Sequence, residues 1–235
     1  RDRDVTGVQT CALPISGSDE MEKKDIIRIK HVTKKFGEET VLKDICYDFA
    51  AGQVHGIVGM NGSGKTVLLK CICGFMQPSE GEIYVKGMQV GQEIDFPRSL
   101  GLIIETPGFL PELSGYKNLK LLASMRGEIG NEEIRTAIRR VGLDPESKKK
   151  VGKYSLGMRE RLGIAQAIME DPEILILDEP FNGLDKNGVK KIYELILELK
   201  EKGKTILLVS HNAVDIESLC DTVCEMELGV LRQIR

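Results

Sequence analysis

Eight residues, Gly59-Met60-Asn61-Gly62-Ser63-Gly64-Lys65-Thr66, constrain this chain more than any other stretch. They follow an apolar segment of strand length, Val54-His55-Gly56-Ile57-Val58, and open a run of helical character from about Gly64 to Gly74. Glycines at this spacing let the backbone wrap tightly with its N–H groups turned inward, and the N-terminus of the following helix adds partial positive charge. Strand, glycine-rich turn, Lys-Thr and helix in that order make a phosphate cradle. The backbone of Gly59, Asn61, Gly62, Ser63 and Gly64 is expected to line it. Lys65 would bridge the β- and γ-phosphates of a nucleotide, and the Thr66 hydroxyl would hold Mg²⁺.

A second apolar run, Ile174-Leu175-Ile176-Leu177, ends in Asp178-Glu179. Carboxylates at the carboxyl end of a buried parallel strand face the crevice where such sheets bind ligands. Asp178 is expected to act through Mg²⁺-bound water, and Glu179 to position or activate the attacking water.

The rest of the chain alternates in the same way. Strands are expected at Ile26–Val32, Ile45–Phe49, Ile83–Val85, Leu100–Ile104 and Thr205–Val209. The helix Lys186–Lys202 carries a stripe of Val189, Ile192, Tyr193, Ile196 and Leu199. Strands apolar throughout, separated by amphipathic helices, imply a parallel sheet covered on both faces. Between Pro107 and Ser155 the texture becomes helical. Leu119, Leu122 and Ala123 are spaced for one helical face, and Ile134, Ile138 and Val141 for another.

The longest apolar runs are strand-sized, whereas a bilayer crossing needs about 20 residues. No membrane span is therefore expected. Residues 1–20 differ in texture, and Val5–Ile15 resembles a translated sequencing adapter. They are expected to be a non-native tail, with Met21 as the start and one domain over 21–235. That tail carries two basic and four acidic residues, so the chain's charge of −3 becomes about −1 without it. Nothing in this balance calls for nucleic acid. Beyond the tail lie Cys46, Cys71, Cys73, Cys220 and Cys224. An odd number without a secretory signal points to a reducing cytoplasm. Cys71-Ile72-Cys73 and the Cys220/Cys224 pair lack zinc spacing and a nearby His, and read as small hydrophobes.

Further motifs carry a resemblance. Tyr154-Ser155-Leu156-Gly157-Met158-Arg159 precedes a helix ahead of Asp178 and resembles the signature of ATP-binding cassette (ABC) ATPases. Asn182-Gly183-Leu184-Asp185 resembles their D-loop, Ser210-His211 their switch histidine, and Phe36 the aromatic that stacks on adenine. The resemblance covers residues 26–235. It implies an α/β fold: a P-loop NTPase core with a mainly parallel sheet, an N-terminal antiparallel β-subdomain and a helical subdomain inserted at about 107–157. It also implies ATP hydrolysis with Mg²⁺, using Glu179, His211 and Glu105 as catalytic residues and Thr66, Glu105 and Asp178 as metal ligands. Ser155, Leu156, Gly157 and Met158 would touch the ATP of a second subunit in a head-to-tail dimer, with Asp185 beside them.

Two positions depart from the family pattern. Leu156 and Met158 replace a Gly and a Gln of the signature, leaving Ser155 and Gly157. Glu105 replaces a Gln, keeping an oxygen ligand but losing an amide donor. Gly101–Pro111 and Ser155–Arg159 resemble the exporters of bacitracin and lantibiotic peptides. The implied role is to power a separate membrane permease from the cytoplasmic face of a bacterial cell membrane. A soluble ABC ATPase acting on a non-membrane assembly is the alternative, and the presence of one motif set disfavours it. The segment Glu105–Leu119, with Phe109, Leu110 and Tyr116, is expected to receive a cytoplasmic helix of the permease.

Overall fold

A computed structural model describes residues 25–105 and 108–235. The expected tail over 1–20, and Pro107 at the head of the expected insertion, lie outside the described residues. In chain order the strands are β1 (Asp25–Phe36), β2 (Glu39–Ala50), β3 (Val54–Val58), β4 (Glu80–Val85), β5 (Met88–Gln89), β6 (Leu100–Ile103), β7 (Ile174–Asp178), β8 (Thr205–Val209), β9 (Thr222–Glu227) and β10 (Val230–Gln233). The helices are α1 (Lys65–Ile72), α2 (Gly115–Arg126), α3 (Asn131–Arg140), α4 (Leu156–Ile168), α5 (Lys186–Glu201) and α6 (Ala213–Leu219).

Strands β3, β6, β7, β8, β9 and β10 build one sheet in the order β10-β9-β3-β8-β7-β6. Every neighbouring pair is parallel except β9–β10, a closing antiparallel hairpin. Alternate residues of these apolar strands feed two different cores, which is why they show no polar face. Leu175, Leu177, Ile206 and Leu208 pack with α4, α5 and α6 and with the inserted helices. Ile174, Ile176, Leu207 and Val209 pack with α1 and the second sheet. That sheet is antiparallel, ordered β2-β1-β4-β5. The α/β class, the mainly parallel sheet and the antiparallel N-terminal sheet are as the sequence implies.

Local differences have local causes. Strand β5 is two residues long and carries no periodic signal; the turn at Lys86-Gly87 places it beside β4. In α5 the buried stripe also includes Leu195, on the shoulder of the expected face, and Val189 is only half-buried. Helix α4 begins at Leu156 because the Ser155 hydroxyl caps it, accepting from Met158 N at 3.2 Å. Phe109 and Tyr116 are not free surface: both pack against the core of the inserted helices, and the Tyr116 hydroxyl donates to Asn131 at 2.8 Å. Leu110 does stay exposed. Cys71, Cys73, Cys220 and Cys224 are buried among apolar residues, and burial pushes the Cys71 thiol up to about 11 and Cys73 to about 12. Cys46 is exposed.

Candidate active site

The phosphate loop is held between β9 and β2. Gly59 has φ 145, and a Cβ there would lie 2.2 Å from the Met226 carbonyl oxygen of β9. Gly64, at φ 110, presses on Leu42 and Val41 of β2, within 3.0 and 3.2 Å of a notional Cβ. Only glycine fits these two positions. A third tie comes from the β9–β10 turn. Gly229 N donates to Ser63 O at 3.2 Å, and Gly229 O accepts from Lys43 N at 2.8 Å. Lys65 Nζ donates to Gly59 O and Met60 O at 2.8 and 2.9 Å, which fixes its ammonium over the loop. Ser63 Oγ is buried without a hydrogen-bond partner, an unmet polar group where the cradle is meant to take an oxyanion.

The loop opens onto a cleft of about 390 Å³. Asn61, Gly62, Gly64, Lys65 and Thr66 line one side, and Glu105, Asp178 and Glu179 the other. Each group stands just beyond the carboxyl end of a parallel strand: the loop after β3, Glu105 after β6, Asp178-Glu179 at β7, and His211 after β8. Thr66 Oγ1 donates to Asp178 Oδ2 at 3.0 Å. Burial pushes the Asp178 carboxyl above the usual carboxylate range, while the Thr66 hydrogen bond and the Lys65 charge pull it down. Thr66, Asp178 and Glu105 offer only hard oxygen donors, the chemistry that suits Mg²⁺. The surrounding carboxylates also make a divalent cation a natural companion for a triphosphate.

Glu179 has φ 52 and Glu105 φ 62, left-handed backbone unusual outside glycine. Such conformations persist only where the surrounding structure enforces them. At Glu179 the enforcement is visible: its N–H donates to Val209 O of β8 at 3.0 Å, and its Oε2 meets His211 Nδ1 at 2.8 Å. His211 in turn sits on a loop fastened by Asp215. Ser210 Oγ donates to Asp215 Oδ2 at 2.8 Å, Asn212 Nδ2 donates to Asp215 Oδ1 at 3.1 Å, and the Tyr193 hydroxyl also donates to Asp215. The buried Asp215 carboxylate thus holds the segment that presents the imidazole.

Sequence reasoning missed Asp215 and Tyr193, and also Glu160. Glu160 is a buried carboxylate on α4 that lines the same cleft, with its pKa raised by burial. The signal was available: Gly157, Glu160, Ile164 and Ile168 form one helical stripe, and a charge interrupts it.

The remaining expected residues stand apart from the cleft. Phe36 lies at the end of β1, 46% exposed, with Lys34 Nζ 5.2 Å from its ring centroid. Ser155, Leu156, Gly157 and Met158 form the first turn of α4, with the Leu156 side chain exposed. Gly157 packs so closely on Gly183 that a Cβ would lie 2.5 Å from its carbonyl oxygen. Asp185 caps α5, accepting from Gly188 N at 2.9 Å. The signature turn thus packs on the D-loop, whose first residue, Asn182, lines the cleft, while Ser155–Met158 themselves do not.

Residues 42–182 match the ABC transporter family. The bacitracin transport ATP-binding protein BcrA of Enterococcus faecalis is 41% identical, over 88% of this chain and 68% of its own length. The lantibiotic transport ATP-binding protein SrtF of Streptococcus pyogenes is 35% identical, over 84% of this chain and 85% of its own. Among solved structures, the dimeric post-hydrolysis state of the ATP-binding cassette MJ0796 bound to ADP and Pi superposes with a TM-score of 0.81. It is 25% identical and covers 89% of this chain and 99% of that one. The chain belongs to the ABC transporter family, as one of its ATP-binding and ATP-hydrolysing subunits.

Proposed function

We propose that this cleft hydrolyses Mg²⁺-bound ATP and that the energy drives a separate permease exporting a peptide antibiotic or a similar amphiphile. The observation that carries the reading is the pair of contacts across the strand ends, Thr66–Asp178 at 3.0 Å and Glu179–His211 at 2.8 Å. Mg²⁺, held by Thr66, Asp178 and Glu105, would neutralise charge developing on the phosphates. Glu179 Oε2 orients a water and takes its proton as the water oxygen bonds to the γ-phosphorus. The bond to the bridging oxygen breaks, leaving ADP and phosphate. His211 holds Glu179 and senses the γ-phosphate beside it. Lys65 supplies positive charge to the β- and γ-phosphates.

A second copy packs head-to-tail so that its Ser155–Met158 turn closes the first copy's cleft. The exposed Leu156 and the separation of the signature from its own cleft support this arrangement. In place of the family's Gly and Gln, Leu156 and Met158 bring apolar contact, while Ser155 Oγ and the α4 N-terminus bring polar contact.

The permease is proposed to dock at a groove of about 560 Å³ between the edge strand β6 and α2. Leu100, Leu102 and Leu122 line its floor, and the exposed Met125, Arg98 and Arg126 stand at its rim. An apolar floor rimmed by charge suits a partner helix. The chain would work on the cytoplasmic face of the membrane through that contact; among the described residues no helix is long and apolar enough to cross it. The test is co-expression with the neighbouring permease. Met125→Asp and Phe75→Asp, both at exposed residues that line the groove, should keep phosphate release by the isolated subunit and lose membrane co-purification. Co-purification at wild-type stoichiometry would place the docking surface elsewhere. Loss of phosphate release from the unaltered chain would overturn the ATPase assignment of these residues.

A further inference from the structure

Outside the cleft, two of the register shifts of the β1–β2 hairpin are bulges on opposite strands, side by side. The pairs Ile29↔Tyr47 and Val32↔Ile45 leave Lys30 and His31 facing the single residue Cys46. The pairs Val32↔Ile45 and Lys34↔Leu42 leave Lys43 and Asp44 facing the single residue Thr33. In each bulge one residue turns left-handed, His31 at φ 50 and Asp44 at φ 48. The backbone N–H so released is taken by the side chain opposite: His31 N donates to Cys46 Sγ at 3.3 Å, and Asp44 N to Thr33 Oγ1 at 3.1 Å. Bulges re-aim side chains, and these two converge. His31 Nδ1 lies 2.8 Å from Asp44 Oδ1 and 3.4 Å from Cys46 Sγ, and the three ligand atoms fall within 4.8 Å of one another.

The same ring nitrogen makes both contacts. A proton relay from Asp through His to Cys would need one nitrogen for each neighbour, so this is not a nucleophilic triad. Instead three potential ligands, an imidazole nitrogen, a carboxylate oxygen and a sulfur, are directed at one point in solvent. We propose that His31, Asp44 and Cys46 form a surface site for a borderline-soft divalent transition metal of the Zn²⁺ class, with water completing the tetrahedron. Zinc bonds of about 2.0 Å to nitrogen and oxygen and 2.3 Å to sulfur place ligand atoms about 3.3–3.6 Å apart. The Cys46–His31 spacing already matches, and the His31–Asp44 contact needs to open by roughly half an ångström. Cys-to-Cys spacing does not reveal the cluster, because two bulges bring His31 and Cys46 together across the ladder. Bound metal would pin β1 to β2 where the ladder is interrupted.

The test titrates the full chain with Co²⁺ under a non-chelating reductant, follows sulfur-to-cobalt absorption in the near ultraviolet, and then displaces the ion with Zn²⁺. One equivalent should bind with that absorption and be released by Zn²⁺. Cys46→Ser should abolish the absorption. His31→Asn and Asp44→Asn preserve residue types that tolerate left-handed backbone, and each should weaken binding by at least about tenfold. ATPase rates at the wild-type level in all three variants establish that they fold. No sulfur absorption in the wild type, or its persistence in Cys46→Ser, overturns the proposal. So does unchanged affinity in both Asn variants.

Discussion

Lys70 Nζ lies 2.6 Å from Glu105 Oε1, an ion pair that joins the helix after the phosphate loop to the end of β6. The carboxylate that stands in place of the family's Gln is thus already engaged by a cation from within the chain. In the proposed arrangement Lys70 competes with Mg²⁺ for Glu105, and removing it should favour the ion. Lys70→Met is expected to lower the Mg²⁺ concentration for half-maximal ATPase activity by up to about fivefold, since exposed pairs are worth up to about 1 kcal/mol. A Mg²⁺ titration of turnover measures this. An unchanged midpoint would mean that Glu105 does not face the metal.

Lys65→Ala should abolish nucleotide binding and leave the fold intact. The Lys65 ammonium is tied to two loop carbonyls, Gly59 O and Met60 O, rather than to the core. Nucleotide titration with circular dichroism as the fold control decides it. Wild-type ATP affinity would mean that the loop binds by its backbone alone.

Glu179→Gln should bind ATP and hydrolyse it about 10²–10⁴-fold more slowly, the usual contribution of a general base. With turnover blocked, a two-ATP dimer should accumulate and be seen by size-exclusion chromatography in Mg-ATP. His211→Ala should also slow hydrolysis, because the 2.8 Å contact that orients Glu179 is lost. Turnover of Glu179→Gln at the wild-type rate would move the base to another residue.

Asp178→Asn should separate stability from activity. Burial raises the Asp178 pKa, so the folded protein holds that proton more tightly than the unfolded chain. Stability therefore falls as pH rises from the ordinary aspartate value of 3.8 through the raised value, and the deficit remains at neutral pH. An amide removes that cost and can still accept from Thr66. At neutral pH without nucleotide the variant should melt higher than the wild type, while Mg²⁺-dependent turnover is lost. A lower melting temperature would show that the carboxylate's hydrogen bond outweighs its burial.

What the sequence made legible was what short-range rules govern. The phosphate loop is eight contiguous residues between a strand and a helix, and Asp178-Glu179 ends an apolar run, so spacing alone located both. Asp215 resisted because Tyr193 of α5 reaches it only when α5 packs beside α6, adding a distant partner to its near neighbours Ser210 and Asn212. Glu160 resisted because a Glu on a helix is usually solvated, and only the placement of α4 against the cleft buries it. Phe109 and Tyr116 look like surface in a Pro- and Gly-bearing segment, but both pack against the core of the inserted helices. The His31–Asp44–Cys46 cluster depends on two slips of register, which no periodicity reports.

The turn at Gly229 receives a hydrogen bond from Lys43 and gives one to Ser63, so it staples the antiparallel sheet to the phosphate loop. The β9–β10 hairpin is thereby mechanically coupled to the phosphate loop. Phosphates that stiffen the loop must also damp the breathing of residues 228–230, more than one hundred and fifty positions away in sequence. Amide hydrogen exchange at Gly229, which does not line the cleft, should slow when ATP binds.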